Sequence, residues 1–339
     1  MQGAGRGRSS AGPRLLLATL ASSSFSLGDR LRVARLALEV RRMPLARIFA
    51  EPDCSALVYL QRRGFSDRCL ERFFRPFYGG IFLDRSLATS SAMFRFTFKM
   101  LSEGQAVVPA GGMQAVPEQL ATALPVGAVR CQAPVQALLR GDGRARGVRL
   151  AGGEELAADA VVVATDSLAA ADLLDDRSLR RQPVGSVCVY FALSISLYAD
   201  RLIVLNARRD AYINNLQQIT NVAPEYAPAG QHLLSLTLLR ASADSDEVIE
   251  TRCRQELALL FPHARLDGLR LLRIYRLPRS QFAQPPGTFG RLPGHVTAFS
   301  NVFLASEITA SSSIEGAMAS GEGAPQAVLA AARHGSSHS

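Results

Sequence analysis

The sequence has 339 residues, of which 48% are hydrophobic, and its net charge is +9. This apolar content is too high for a disordered chain and is sufficient for one large or two ordinary domains. The positive charges are dispersed, with no block of five and no interleaved aromatic residues, so nucleic-acid binding is not expected, whereas a weak peripheral contact with anionic membrane surfaces is compatible with the charge. No apolar run is long enough to cross a bilayer.

The cysteines and histidines do not indicate a disulfide framework or a metal site. The five cysteines lack a CxxC pair, and the five histidines lack metal-ligand spacing. The first 28 residues contain three arginines, many Ser and Ala residues, and no acidic residue, which is typical of a transit peptide. Alternatively, this stretch is an interior part of the domain that follows. We expect a cytoplasmic or organellar protein, with a plastid among the alternatives, rather than a secreted one.

The first quarter of the chain is predicted to be helical and rich in aromatic residues. Residues 28–50 have the pattern of one amphipathic helix, which ends before Pro52. Ser55 begins a short helix that ends at Gly64, and Ser66 is expected to cap the next helix. The apolar face predicted within 28–50 consists of Leu31, Val33, Ala34, Leu36, Ala37 and Leu38.

From residue 106 onward, strand and helix patterns alternate. The apolar run 160–164 predicts a strand buried on both faces of a parallel sheet, and an alanine-rich helix to Leu174 follows it. The mixture predicts a composite of α/β and α+β structure. The other predicted elements are a hairpin of strands 129–139 and 145–150, strands 187–193, 202–205, 233–238 and 268–276, and a helix at 245–261.

Residues 302–324 read as a strand, a serine-rich loop and the start of a helix. The Ser312-x-x-Glu315 spacing is a capping-box pattern, so a helix is expected to start near Ser313. Gly316 leaves room for the close approach of a ring or another backbone. Pro325 is expected to kink the helix. Alternatively, the segment is only a well-capped packing helix.

Several segments, taken together and in this order, resemble the flavin-containing amine oxidase superfamily, in its phytoene-desaturase-like and protoporphyrinogen-oxidase-like branch. The resemblance runs from about Leu15 to Leu329. It implies an incomplete Rossmann-type FAD-binding domain interleaved with a mixed-sheet and helical substrate domain. The segments are FFRPFYGGIFLD (73–84), TSSAMFRF (89–96), VPAGGMQAVPEQLA (108–121), AADAVVVATD (157–166) and SSSIEGAMASGEGA (311–324).

The resemblance also implies how the chain is divided. Residues 105–175 and 293–332 would form the FAD-binding part. The helical part of the substrate domain would be 28–104, and its sheet and helix would be 176–292. Residues 1–27 and 333–339 would be an N-terminal segment and a tail.

The implied activity is hydride transfer from a small apolar or amine substrate to FAD. No metal and no acid or base residue is implied. Val135 is alternatively a buried strand residue, and the aromatic residues are alternatively core. The residues implied to contact FAD are Val135, Thr165, Ser306, Glu307, Ser313, Ile314 and Ala317, and those implied to line a substrate slot are Phe74, Phe77, Tyr78 and Phe82.

The chain departs from the family pattern in three respects, one of which is Pro325, where relatives have a helix-forming residue. It contains no GxGxxG turn, so the first FAD segment is expected to precede Met1. Ser306–Glu307 stands where relatives usually have Gly-Asp. We therefore expect weak or absent FAD binding. The alternatives are a non-catalytic remnant or scaffold that binds an apolar ligand or a protein, and an unrelated basic α/β binding protein.

Overall fold

A computed structural model describes residues 25–335, and the side chains of 25–333. Most of the predicted N-terminal segment and the end of the predicted tail therefore lie outside the described residues. The helices are α1 (Leu27–Arg42), α2 (Leu45–Ala50), α3 (Ala56–Arg62), α4 (Asp67–Cys69), α5 (Arg75–Phe82), α6 (Ser91–Glu103), α7 (Ala115–Ala121), α8 (Ser167–Leu174), α9 (Asp246–Leu260) and α10 (Ile314–Gly335). The strands are β1 (Val135–Gly141), β2 (Arg144–Leu150), β3 (Glu155–Ala157), β4 (Val161–Val163), β5 (Pro183–Leu193), β6 (Val204–Leu205), β7 (Asn215–Gln218), β8 (His232–Leu238), β9 (Arg270–Phe282) and β10 (Val302–Leu304).

The chain forms two compact units, each built from two separate segments. Among the described residues, unit 1 comprises 25–123 together with Val184–Ser280. Unit 2 comprises Leu124–Pro183 and residues 281–335. Helices and sheets are mixed in both units, which confirms the mixed fold class at this coarse level.

Unit 1 contains a five-stranded sheet in the order β6-β7-β8-β5-β9. Strand β8 pairs antiparallel with both β5 and β7. The sheet residues Phe191, Leu216 and Leu234 belong to one buried cluster with Ile249 and Leu257 of α9. The apolar face of α9 therefore closes the sheet core, as its amphipathic pattern indicates.

The single helix predicted over residues 28–50 is wrong, because α1 ends at Arg42 and α2 begins after Pro44. Met43 has an extended backbone (φ −84°, ψ 125°), the conformation that a residue before proline favours. The predicted apolar face is also partly wrong. Val33 and Leu36 are buried, whereas Leu31 and Leu38 are exposed.

The predicted caps of the following helices are confirmed. Ser55 Oγ accepts a hydrogen bond from Val58 N at 3.2 Å, and Ser66 Oγ accepts one from Cys69 N at 3.2 Å. Gly64 has a φ of +76°, which glycine adopts without strain. A π-helical stretch, Leu70–Phe74, joins α4 to α5.

Unit 2 contains an antiparallel sheet in the order β1-β2-β3 and a parallel pair of β4 with β10. The buried cluster of this unit includes Val163 and Leu304 from the pair and Ala170 from α8. The prediction that strand 160–164 is buried on both faces is wrong, because Val162 is 46% exposed. Within residues 25–335 its outer face is left partly open.

Candidate functional site

The two parallel strands of unit 2 end at the same edge, and polar residues follow both of them. Ala305 N donates a hydrogen bond to Val163 O at 2.9 Å, so the register continues to the ends of β4 and β10. Thr165–Asp166 follows β4, and Ser306–Glu307 follows β10. Ligands bind beyond the carboxyl ends of parallel strands in such sheets. We call these four residues the carboxyl edge.

Glu307 is a half-buried carboxylate at this edge. Burial raises its pKa, and the nearby negative charge of Asp166 raises it further. A hydrogen bond of 2.9 Å from Ser312 Oγ to Oε2 opposes these effects but does not cancel them. Among the described residues no cation forms an ion pair with Glu307, so it is suited to accept hydrogen bonds from neutral hydroxyl groups.

Asp166, at the same edge, mainly stabilises the start of helix α8. Its Oδ1 atom accepts hydrogen bonds from Leu168 N at 2.9 Å and Ala169 N at 3.2 Å, so it caps α8. Thr165, which precedes it, is exposed. Asp166 therefore forms an ordinary turn between strand β4 and helix α8. The contact of Thr165 with a cofactor stays a prediction.

Ser306 is buried, and its Oγ atom has no hydrogen-bond partner within the described part of the chain. An unsatisfied buried hydroxyl costs about 1–3 kcal/mol. Its backbone (φ −100°, ψ 155°) is extended and accepts any residue. The carboxyl edge therefore contains one side chain that weakens the fold.

We predict that Ser306→Ala raises the stability of unit 2 by about 1 kcal/mol, because it removes the unsatisfied hydroxyl and leaves little extra space. Thermal unfolding of wild type and variant measures this. Ser178→Ala, at an exposed serine of the same unit, is the control and should change little. A lower melting temperature for Ser306→Ala would show that this hydroxyl has a stabilising partner.

The start of α10 is capped, but by a different serine from the predicted one. Ser313 Oγ accepts a hydrogen bond from Gly316 N at 2.9 Å. Ser312 Oγ instead accepts from Phe282 N at 2.9 Å and donates to Glu307. The predicted capping box of Ser312 and Glu315 is therefore wrong, because the Ser312 hydroxyl is already occupied.

Gly316 permits a close approach of backbone to backbone. A Cβ atom at Gly316 would lie 2.0 Å from Ser311 O. The sequence left open whether a ring or another backbone approaches Gly316. The structure shows a backbone, that of Ser311 in the chain's own loop. Ile314 and Ala317 are exposed at the start of the helix, and Ser313 is partly buried. The hydrogen-bonded helix runs through Pro325 to Gly335.

Gln284 was missed by sequence reasoning. Its Oε1 atom accepts a hydrogen bond from Ser312 N at 3.0 Å, and the residue is buried. Together with Phe282 N it fixes the serine-rich loop from one side. Its separation of 28 residues from Ser312 leaves no local signal in the sequence.

Val135 lies at the start of β1, where it pairs with Leu150. It is 42% exposed, so the alternative of a buried strand residue is wrong. An exposed backbone at this point is compatible with the predicted adenine contact, which stays a prediction.

In unit 1, Phe74, Tyr78 and Phe82 are core residues, as the alternative interpretation held. All three are buried, and the Tyr78 ring centroid lies 4.7 Å from that of Phe94 in α6. Burial raises the pKa of Tyr78. They are buried because one face of α5 packs against α6, and their predicted part in a substrate slot stays a prediction. Phe77 is half-buried and stacks on Phe73 at 5.3 Å.

The donors and acceptors of unit 2 are compatible with FAD. The carboxyl edge offers a carboxylate without a cation, which suits a polyol chain. The N-terminus of α10 favours the electron-rich or negatively charged part of a ligand. Residues 25–335 contain no group of three His, Cys, Asp or Glu residues that could hold a metal ion. In the same range, every helix is too short or too polar to span a membrane.

Comparison with known proteins also indicates a flavin-binding protein. The model of the family "Flavin containing amine oxidoreductase" matches residues 3–329. No curated protein matches the sequence significantly.

Solved structures share the fold at low sequence identity. An oxidoreductase from Methanosarcina mazei is 21% identical, with a TM-score of 0.69 over 88% of this chain and 74% of that one. An Exiguobacterium protein assigned as a protoporphyrinogen oxidase is 19% identical, with a TM-score of 0.66 over 92% and 73%. A putrescine oxidase bound to putrescine is 15% identical, with a TM-score of 0.68 over 92% and 77%. Because the family model covers residues 3–329, the chain belongs to the family of flavin-containing amine oxidoreductases.

Proposed function

We propose that this protein is an FAD-dependent oxidoreductase that takes a hydride from a small apolar or amine substrate. The observation that carries the proposal is the carboxyl edge of unit 2, which adjoins a serine-rich loop and the capped start of α10. Family membership supports the use of a flavin. Unit 2 would be the FAD-binding, incomplete Rossmann-type part, and unit 1 would be the substrate domain.

Five of the proposed cofactor contacts lie in the loop and at the start of α10. Glu307 would accept a hydrogen bond from a hydroxyl of the ribityl chain. Ser306 would contribute its backbone, and its extra side chain relative to glycine is expected to weaken FAD binding. Ser313 would cap the first turn of α10. The exposed side chains of Ile314 and Ala317 would then offer the cofactor an apolar surface. Val135 and Thr165 would contact the remaining part of the cofactor.

Bound FAD supplies the hydride-accepting chemistry, as cofactors do in such enzymes. The chain's own residues would bind and orient the cofactor and would exclude water from it. The hydrogen bonds of Ser312 to Phe282, Gln284 and Glu307 hold the loop before any ligand arrives. Such preorganisation lowers the entropic cost of binding.

The substrate class is the finer part of the proposal. The similar structures include a putrescine oxidase bound to putrescine and a protein assigned as a protoporphyrinogen oxidase. A diamine and a porphyrinogen are therefore the first substrates to test by anaerobic loss of the oxidised-flavin absorbance. Phe77 is the one predicted slot residue that is not fully buried, so it is the first position to vary for substrate preference.

We predict that Glu307→Ala weakens FAD binding at least about tenfold, because a hydrogen bond to a charged group contributes about 1.5–3 kcal/mol. Affinity should also fall on acidification, because protonation removes the charged acceptor. Since the pKa of Glu307 is raised by burial, the loss should begin above the usual titration range of glutamate. Fluorescence titration with FAD at several pH values measures both effects.

The matched control is Glu322→Ala, at an exposed glutamate on α10. It should keep the affinity of the wild type and its pH dependence. Equal affinities for Glu307→Ala and Glu322→Ala would contradict the proposed contact. Far-UV circular dichroism of both variants shows whether the fold is retained.

A further inference from the structure

The outward face of α1 is apolar. Leu27, Leu31 and Leu38 are 77%, 73% and 52% exposed. Their separations of four and seven residues place them on one side of a helix, with the exposed Ala34 between them. A surface helix normally presents polar residues on this side, so these leucines require another explanation.

Helix α1 also has a second apolar side, which faces the core of unit 1. Val33, Leu36 and Val40 are buried on the opposite side of α1. At about 100° per residue they lie roughly half a turn from the exposed leucines. The helix is thus anchored in unit 1 by one apolar face, and it presents a second apolar face outward. We call the exposed residues Leu27, Leu31, Ala34 and Leu38 the outer stripe.

The flanks of the outer stripe are positively charged. Arg35, Arg41 and Arg42 are exposed, and none of them forms an ion pair with a described residue. Both acids of α1 already have partners. Asp29 is buried, accepts hydrogen bonds from Ser26 and Ser66, and pairs with Arg32 of the same helix at 3.7 Å. Glu39 pairs with Arg63 at 2.5 Å. The charge of Arg35 also acts on Glu39, whose pKa it helps to lower, so the surface around the stripe has an excess of positive charge that is only partly compensated.

The next helix, α2, also exposes apolar side chains. Leu45 and Phe49 of α2 are exposed, and Arg47 lies between them. Arg47 pairs with Glu51 at 3.1 Å, so α2 adds apolar area more than charge. Leucine and phenylalanine beside arginine are the residues that interfacial helices use to enter a lipid headgroup layer.

The charge decides between the possible occupants of the stripe. A second copy of the chain packed symmetrically would bring arginine against arginine, which disfavours the contact. A coiled-coil partner usually requires three or four heptads, and α1 has 16 residues. An anionic bilayer accepts both the leucines and the arginines, since each cation near such a surface contributes about 1 kcal/mol, or about fivefold in affinity.

We propose that α1 is an interfacial helix whose outer stripe inserts into the headgroup region of an anionic phospholipid membrane. The binding is peripheral and reversible, because only one face of a short helix is available. It does not depend on FAD, so it can hold or fail independently of the proposed enzymatic function.

The chain contains no tryptophan, which provides a direct test. Leu31→Trp introduces a single fluorescent probe into the outer stripe. Leu259→Trp introduces the same probe at an exposed leucine of α9. With vesicles containing phosphatidylcholine and phosphatidylglycerol, the emission of Leu31→Trp should shift to shorter wavelength and be quenched by brominated lipid. The emission of Leu259→Trp should not change.

A sedimentation assay with the 339-residue chain tests the leucines and the arginines of the surface separately. Leu31→Ser with Leu38→Ser should lower partitioning onto anionic vesicles at least about tenfold. Arg35→Gln with Arg42→Gln should lower it about 25-fold, from two charges at about fivefold each. Leu259→Ser and Arg265→Gln, both at exposed positions, are the controls and should match the wild type.

Three results would overturn the proposal. They are no binding of the wild type to anionic vesicles, equal binding by the stripe variants and the controls, and a blue shift of Leu31→Trp that follows protein concentration without vesicles. The last result would assign the stripe to self-association. Because all substituted residues are exposed, the variants are expected to fold, and their melting temperatures verify this.

Discussion

Gly316→Ala is expected to abolish FAD binding and to destabilise unit 2 by about 3 kcal/mol or more. The added Cβ would lie 2.0 Å from Ser311 O and 2.6 Å from Ser311 Oγ. Real Cβ atoms do not approach so closely, so either α10 or the serine-rich loop must move. The loop is held by Phe282 N and Gln284, which makes the displacement costly.

The control for this prediction lies in the same helix. Gly321 has no atom within 4 Å of its added Cβ, so Gly321→Ala should stabilise α10 by about 0.5–1 kcal/mol. The melting temperatures of the two variants should therefore move in opposite directions, and Gly321→Ala should keep the FAD affinity of the wild type. If Gly316→Ala kept the stability and flavin affinity of the wild type, the packing described for the start of α10 would be wrong.

Asp29→Ala is expected to destabilise unit 1 by about 3 kcal/mol, because one buried carboxylate serves two helix N-termini. Asp29 accepts hydrogen bonds from Ser26 N and Oγ at 3.3 and 2.6 Å, and from Ser66 N and Oγ at 3.0 and 2.6 Å. Its loss leaves those donors without partners. Denaturant unfolding measures the effect. Asp67→Ala, at an exposed neighbour of Ser66, should change stability by less than about 0.5 kcal/mol.

The pH dependence of stability provides a second readout for Asp29. Burial alone would raise its pKa, but the hydrogen bonds from Ser26 and Ser66 together lower it. A depressed pKa in the folded state means that this stabilisation is complete above the unfolded value of about 3.9. It is lost as the pH falls through the lower folded value. Asp29→Ala should lack this acid-dependent loss, and an unchanged acid limb would contradict the assignment.

Local signals in the sequence predicted local structure well. The caps at Ser55 and Ser66 and the glycine end at Gly64 are confirmed, because each depends on contacts within three or four residues. The carboxyl edge was also predictable, since strand ends and their polar residues follow directly from the apolar run of β4. The break at Pro44 was predictable too, but the apolar periodicity of residues 28–50 concealed it.

Features that depend on distant partners were not predictable. Ser312 and Ser313 are chemically equivalent in the sequence, and only the contact of Ser312 with Phe282 decides which one caps α10. Strand β7 has no clear alternation and exists because it pairs with β8. The burial of Phe74 and Tyr78 is likewise decided by α6.

The central claim is that the carboxyl edge and the start of α10 bind FAD, and titration of the purified 339-residue chain with FAD tests it most directly. We expect saturable binding of one FAD per chain, weak enough that the protein is colourless as purified. The binding should weaken in Glu307→Ala and disappear in Gly316→Ala. Binding that is absent in the wild type, or equally strong in all three proteins, would contradict the claim.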